Sequence, residues 1–351
     1  DEFFMVRVAS LKTQVDAGIT KLSEDGQTPE QQLETIRKKI LPLIKRQQEH
    51  YLKILRKQLD VEDITILNYT DLDNRQKTWV DNYFQTAIFP VLTPLAVDPV
   101  HPFPFVSNLS LNIAAIIIDP ENNKQQFARV KIPQKTISRF ISIPAELSRN
   151  NSKNTDYKIP IEQVVSNNLD KLFPGMKVKE SYLFRVTRDA DLELRDIEAD
   201  DLMSALEEGL QKRRIGGEVV RIEVSNTIPQ SILQVLTEGM SVKNDYVYKI
   251  DGLLALDELM NLCSIKRPDL KSATHIGQTH KSLVGSQIGL LEDGSIKKEE
   301  FKNIFSIIRQ QDLLLHHPYD LFKTSIEEFI NQSAIDPNVM GIKMTLYRIS
   351  Q

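Results

Sequence analysis

The amino-acid sequence predicts a multidomain α+β protein of 351 residues. Three features carry this. An apolar rhythm of three- and four-residue steps runs through the first part of the chain, as expected of amphipathic helices. A proline-dense stretch then gives way to alternating strand-like runs mixed with helices. Past residue 295 a strand–helix–strand pattern closes the sequence. These divide the chain into a helical N-terminal domain over 1–89, an α+β domain over 90–294, and the first βαβ unit of an α/β domain over 295–351.

Taken in order, the chain opens in the helix-like DEFFMVRVASL. Thr28-Pro29-Glu30-Gln31 has the form of a capping box, with Pro29 at the first helical position. Behind it Leu33, Ile36, Ile40, Leu43, Ile44, Tyr51, Leu52, Leu55 and Leu59 form one apolar stripe along a long helix. Pro42 is expected to kink or divide it. Lys38, Lys39, Lys45, Arg46, Arg56 and Lys57 make this helix basic, which fits a solvated outer face. A second helix starts at Asp71 or Asp73 and is expected to bury Trp79, Val80, Tyr83 and Phe84. Pro90, Pro94, Pro99, Pro102 and Pro104 then exclude helix, and Phe103, Phe105 and Val106 in the same stretch call for burial.

Strands are expected over Ser110–Ile118, Phe127–Ile132, Arg139–Ile143, Tyr182–Leu194 and Glu218–Val224. Helices are expected over Ala199–Lys212 and Pro229–Met240, and Asn150–Asp156 reads as an exposed loop. The last part predicts a helix Lys297–Gln310, a strand Leu313–His316, a helix from Pro318 and Asp320 to about Ala334, and a strand Gly341–Ile349. Such crossovers join parallel strands and are nearly always right-handed. The sequence begins without methionine and stops on an apolar strand-like run, so it reads as a fragment.

Composition narrows the function. Forty-four basic and 48 acidic residues leave a net charge of −4, which argues against general nucleic-acid or membrane-surface binding. The single cysteine, Cys263, excludes a disulfide framework and any cysteine-rich metal site, and a reducing compartment fits. No apolar run approaches the ~18–20 residues of a membrane span, and no signal-peptide pattern opens the chain. The 13 glycines form neither a P-loop nor a dinucleotide fingerprint, and the six histidines lack the H-E-x-x-H spacing.

Four places could carry chemistry. Asp189, Asp191 and Glu193 alternate on one strand face with Arg185; they suit either a divalent cation or a solvated face with Arg185 as counter-charge. Thr274 to Lys281 holds His275, His280 and a lysine, which read as an anion contact or as an ordinary connecting loop. His316-His317-Pro318-Tyr319 falls at the carboxyl end of a predicted parallel strand, where α/β sheets place ligands. Arg348 shares a strand side with Ile342, Met344 and Leu346. A guanidinium closing an apolar side needs a partner, either a carboxylate in an internal ion pair or a bound phosphate.

DEFFMVRVASL, FPVLTPLAVDPVHPFPFVSNLSLNIA, FRVTRDADLEL and HHPYDLFKTSIEEFINQSAIDPNVMGIKMTLYRIS together resemble the bacterial polyphosphate kinases, over essentially the whole sequence and in order. The resemblance implies a helical N-terminal domain, an α+β head domain and the beginning of the first of two phospholipase D-like C-terminal domains. It implies reversible transfer of the γ-phosphate of ATP to inorganic polyphosphate through a phosphohistidine, with Mg²⁺ required. Arg348 matches an arginine of the phosphate–magnesium site, where it would grip phosphates that hold the metal; His316 and Tyr319 are further pocket candidates. The family's phosphoacceptor histidine, its second phosphate-site arginine and its adenine-contacting asparagine match no residue here. ATP, ADP and polyphosphate are the implied partners, with self-association into a dimer or tetramer. The implied location is cytoplasmic, compatible with peripheral membrane association. Two other readings stand beside this one: a non-catalytic polyanion-binding or oligomerisation module, and a phospholipase D-like phosphodiesterase fragment.

Overall fold

The computed structural model describes residues 1–97, 103–134, 136–147, 155–190, 217–273, 275–284, 289–290, 296–297 and 303–345. They fall into two compact units, 1–264 and 265–351.

In the first unit a π-helical turn, Phe4–Val8, runs into α1 (Ala9–Asp16) and buries Phe4, Val8, Ala9 and Leu11. Helix α2 (Pro29–His50) starts as predicted: Thr28 Oγ1 accepts from Gln31 N at 3.3 Å, and Gln31 Oε1 accepts from Thr28 N at 2.9 Å. Two donors that no helical carbonyl can reach are thereby satisfied. Pro42 lies inside α2 and does not divide it; its missing hydrogen bond falls on an exposed stretch. A π-helical turn, Tyr51–Leu55, links α2 to α3 (Arg56–Val61). The predicted stripe is partly realised. Leu33, Ile36, Ile40 and Ile44 pack on the core, whereas Leu43 is 51% exposed and Leu52 also faces outward.

Strand β1 (Ile64–Ile66) precedes α4 (Asn74–Tyr83), which begins at Asp73: its Oδ1 accepts from Gln76 N at 2.9 Å. Val80 and Phe84 are buried, while Trp79 and Tyr83 are half-buried and stack with centroids 5.3 Å apart. Then come β2 (Pro94–Val97), β3 (Leu111–Ile118), β4 (Gln125–Lys131), β5 (Phe140–Ser142), β6 (Asp156–Pro160), α5 (Ile161–Ser166), β7 (Lys177–Arg188), β8 (Val219–Ser225), α6 (Gln230–Gly239) and β9 (Val247–Ile250).

Six strands form the main sheet in the order β2-β4-β3-β7-β8-β9, antiparallel except for the β8–β9 pair. A second sheet, β1-β6-β5, joins the N-terminal region to the following one through the parallel β1–β6 pair. Because strand side chains alternate, β3 feeds two cores. Leu111, Ile113, Ala115 and Ile117 meet Phe4, Val8, Val80 and Phe84 on one face. Ala114 and Ile116 join Phe184, Ile222 and the α6 residues Ile232, Leu233 and Leu236 on the other.

Several local expectations change. Strand β7 begins at Lys177 and ends at Arg188, so the alternation predicted from Tyr182 to Leu194 stops before the acidic cluster; positions 191–194 and the predicted helix Ala199–Lys212 lie outside the described residues. Asp156, placed in a loop by sequence, starts β6; residues 150–154 lie outside. Of the proline-rich stretch, Val106 is fully buried but Phe105 is exposed.

The second unit holds the two-residue pair β10 (Gly289–Leu290) and β11 (Ile296–Lys297), then α7 (Ile304–Ile308) and α8 (Ile326–Ile335). Of the helix predicted over Lys297–Gln310, the described residues show α7, with Lys297 in β11; 298–302 lie outside the described residues. The helix expected from Pro318 begins at Ile326, after a 3₁₀ turn Phe322–Thr324. Neither Leu313–His316 nor 341–345 pairs as a strand, and 346–349 lie outside the described residues. Alternation survives without a ladder. Leu313 and Leu315 pack with Leu283, Ile304, Ile307 and Phe329, while Leu314 is 90% exposed. Side-chain parity places residues on two sides, but a strand also needs a neighbouring backbone to accept its hydrogen bonds, and the described residues supply none here.

Candidate functional site

In the second unit the H-H-P-Y segment folds into a tight turn. His316 N donates to Asp320 Oδ2 at 2.7 Å and Asp320 N donates to the His316 carbonyl at 2.9 Å. His317 Nδ1 donates to the Asp320 carbonyl at 2.8 Å, which puts its proton on Nδ1. The 275–280 loop lies along this turn. Gln278 N donates to the Tyr319 carbonyl and Leu321 N to the Gln278 carbonyl, both at 2.8 Å. Gly277 allows the approach, because a Cβ there would stand 2.6 Å from the Pro318 carbonyl oxygen.

The clamp sets three rings together. Tyr319 meets His316 at 4.8 Å and His275 at 5.1 Å between centroids, both edge-on. Tyr319 remains 57% exposed, and both imidazoles are exposed. His317 lies apart against Phe322 at 5.4 Å. His316 and Tyr319, chosen from sequence, are thus adjacent. His275 joins them, a residue whose loop sequence reasoning left open between anion contact and plain connection. No local pattern links positions more than forty residues apart; only the tertiary clamp does. His280 stands elsewhere in the loop, its Nδ1 accepting from Ser282 N at 3.3 Å. Arg348 lies outside the described residues.

The acidic strand face resolves differently. Arg185 is buried and turns to Asp1 at 2.7 Å, Glu223 at 2.9 Å and Asp257 at 3.4 Å. Asp189 falls past the end of β7, and Asp191 and Glu193 lie outside the described residues. Arg221 also bonds Asp1, donates from Nε to Thr187 Oγ1 at 3.0 Å, and covers the Phe4 ring at 4.1 Å. Burial pulls the Arg221 pKa down, against the raising effect of Glu223. Arg185 Nε is buried with no hydrogen-bond partner among the described residues. Among the described residues this network ties the DEFF segment to the sheet. Among the described residues no group of three or more His, Cys, Asp or Glu side chains could hold a metal ion. Nor is any described helix long and apolar enough to cross a membrane.

Comparison with known proteins gives the frame for this geometry. Residues 1–67 match the polyphosphate kinase N-terminal domain, 75–262 the polyphosphate kinase middle domain, and 303–351 the polyphosphate kinase C-terminal domain 1. A polyphosphate kinase of Prochlorococcus marinus is 64% identical over 351 residues, covering 100% of this chain and 49% of the relative. One of Aphanizomenon baltica is 44% identical over 350 residues, covering 98% and 89%. One of Mycobacterium tuberculosis is 40% identical over 355 residues, covering 100% and 46%. The crystal structure of polyphosphate kinase from Porphyromonas gingivalis superposes with a TM-score of 0.68 at 19% identity, over 96% of this chain and 44% of that one. That likeness concerns the fold, a mixed α+β multidomain architecture. The chain spans about half the length of the first relatives it matches. With three domain descriptions in order and such identity throughout, the chain belongs to the polyphosphate kinase family.

Proposed function

We propose that the protein containing this chain is an ATP–polyphosphate phosphotransferase. It moves the γ-phosphate of ATP reversibly onto inorganic polyphosphate, through a phosphohistidine that none of the histidines in this sequence supplies. The observation that carries this reading is the ordered match of the N-terminal, middle and first C-terminal domains along one chain. The relatives' names favour it over a non-catalytic polyanion module and over a phosphodiesterase. Its proposed organisation is a helical N-terminal domain over 1–89, a head domain over 90–294 and the opening of the catalytic domain over 295–351.

Arg348 is proposed to grip the transferring phosphates. Phosphoryl transfer is mostly positioning and charge neutralisation, and a planar five-donor group suits both. His316 and Tyr319 are proposed to line the same pocket. Mg²⁺ is proposed to arrive on the nucleotide phosphates, and no described residue is assigned as its ligand. The protein is further proposed to self-associate as a dimer or tetramer and to work in the cytoplasm.

The test is direct. Full-length protein incubated with labelled ATP and Mg²⁺ is expected to form acid-insoluble polyphosphate and to carry a base-stable, acid-labile phosphate. Neither product would appear if the reading were wrong.

A further inference from the structure

We propose that the outer face of α2 and α3 is a track along which a linear inorganic polyanion, polyphosphate, lies. The identity of the polymer rests on the phosphotransferase reading; the charge pattern does not. Positions 38–57 hold seven basic residues and one acidic residue, Glu49, in a chain whose net charge is −4. Arg56 turns inward, its guanidinium donating to the Ile66 carbonyl at 2.6 Å. The other six, Lys38, Lys39, Lys45, Arg46, Lys53 and Lys57, are exposed. Helical spacing lines them up, since Lys38 and Lys45, Lys39 and Arg46, and Arg46 and Lys53 are each seven residues apart, close to two turns. From Lys38 to Lys57 the row runs about 28 Å at the α-helical rise.

Two of the six are neutralised along the helix, Lys38 by Glu34 at 2.7 Å and Lys53 by Glu49 at 3.2 Å. Lys39, Lys45, Arg46 and Lys57 have no carboxylate partner among the described residues. Like charges in a row repel one another and weaken a helix. A chain of phosphates along the row removes that repulsion, and its condensed counterions are released. The flanks decide which polyanion fits. Exposed Leu41 and Leu52 lie on one side of the row, and exposed Leu43 and Ile54 on the other, each pair eleven residues apart. The cations fill the outermost strip between them. An interfacial membrane helix has the reverse arrangement, with its apolar side chains toward the lipid. A single-stranded nucleic acid calls for exposed aromatic rings under its bases, and Tyr51, the only Phe, Tyr or Trp of the stretch, is buried. What remains is phosphate without bases or acyl chains, for which lysines supply point charges on flexible stems.

The experiment titrates full-length protein with long-chain polyphosphate and with tripolyphosphate, which is too short to follow the row, across a salt series. The wild type is compared with the triple variant Lys39→Gln, Lys45→Gln, Arg46→Gln. A charge-matched control carries Lys124→Gln, Lys177→Gln and Lys179→Gln, three exposed positions on other elements. The α2 variant is expected to bind the long chain about tenfold or more weakly at low salt, and its slope of log affinity against log salt should flatten by about 2. Tripolyphosphate affinity and melting temperature should stay at the wild-type values, and the control should bind the long chain as the wild type does. Unchanged long-chain affinity in the α2 variant would overturn the proposal, as would an equal loss in the control or for tripolyphosphate. Anionic phosphatidylserine vesicles that lose binding in the α2 variant, with long-chain polyphosphate unaffected, would assign the face to a membrane and overturn it too. Should the triple change lower the melting temperature, Arg46→Gln alone decides, with an expected flattening of about 0.7. A wild type that makes no polyphosphate would count against the phosphotransferase reading, while selective loss of long-chain binding in the α2 variant would still support the track.

Discussion

Arg139 on the segment entering β5 and Glu162 in α5 form an ion pair at 2.6 Å, with side chains 0% and 1% exposed. The guanidinium also donates to the carbonyls of Leu254 and Ala255, at 2.7 and 2.6 Å. One buried arginine thus joins the small sheet to the loop that follows β9.

Removing one partner leaves the other charged and dry. Glu162→Gln is expected to lower the stability of the first unit by about 3–5 kcal/mol. The double change Arg139→Met with Glu162→Leu should cost less than the sum of the two single changes. Denaturant titration of the wild type, Glu162→Gln, the two single changes and the double reads this, and a Glu162→Gln cost within error of zero would refute it.

The alkaline limb of stability has a named contributor. Tyr69 donates to Asp81 Oδ1 at 2.8 Å, and burial first, then that hydrogen bond and the Asp81 charge, push its pKa up to about 12. A raised pKa favours the protonated form in the folded state. Its stabilisation is therefore complete below the ordinary tyrosine value of about 10 and is lost as pH rises through about 12. The melting temperature of the wild type should fall more steeply across that window than that of Tyr69→Phe; parallel curves would exclude Tyr69.

Pro42 breaks one helical hydrogen bond without ending α2. Pro42→Ala is expected to restore it and to stabilise the protein by about 1–3 kcal/mol. A lower melting temperature in the variant would show that the proline is needed for the helix's course.

For the proposed chemistry, Arg348→Ala in the full-length protein is expected to cut turnover about 100- to 1,000-fold, the usual cost of one transition-state donor, with the fold intact by circular dichroism. Unchanged rates would make Arg348 a structural ion-pair partner.

By itself, the sequence determined whatever depends on residues a few positions apart. The capping box of Thr28 with Gln31 could be read directly, because cap and partner are three residues apart; the start of α4 was narrowed to Asp71 or Asp73, and the structure takes Asp73 with Gln76. Strands β3 and β4 were expected from their apolar runs. The family too was legible in contiguous motifs. Tertiary structure decided the pairings between distant groups. Arg185 takes partners 184, 38 and 72 positions away, so its neighbours in sequence were a poor guide to its charge balance. Leu313 to His316 keeps its parity but forms no ladder, since a ladder is a property of two segments. His275 reaches Tyr319 only because a backbone clamp and a glycine at 277 bring two loops within ring contact; one-dimensional spacing carries no trace of that distance.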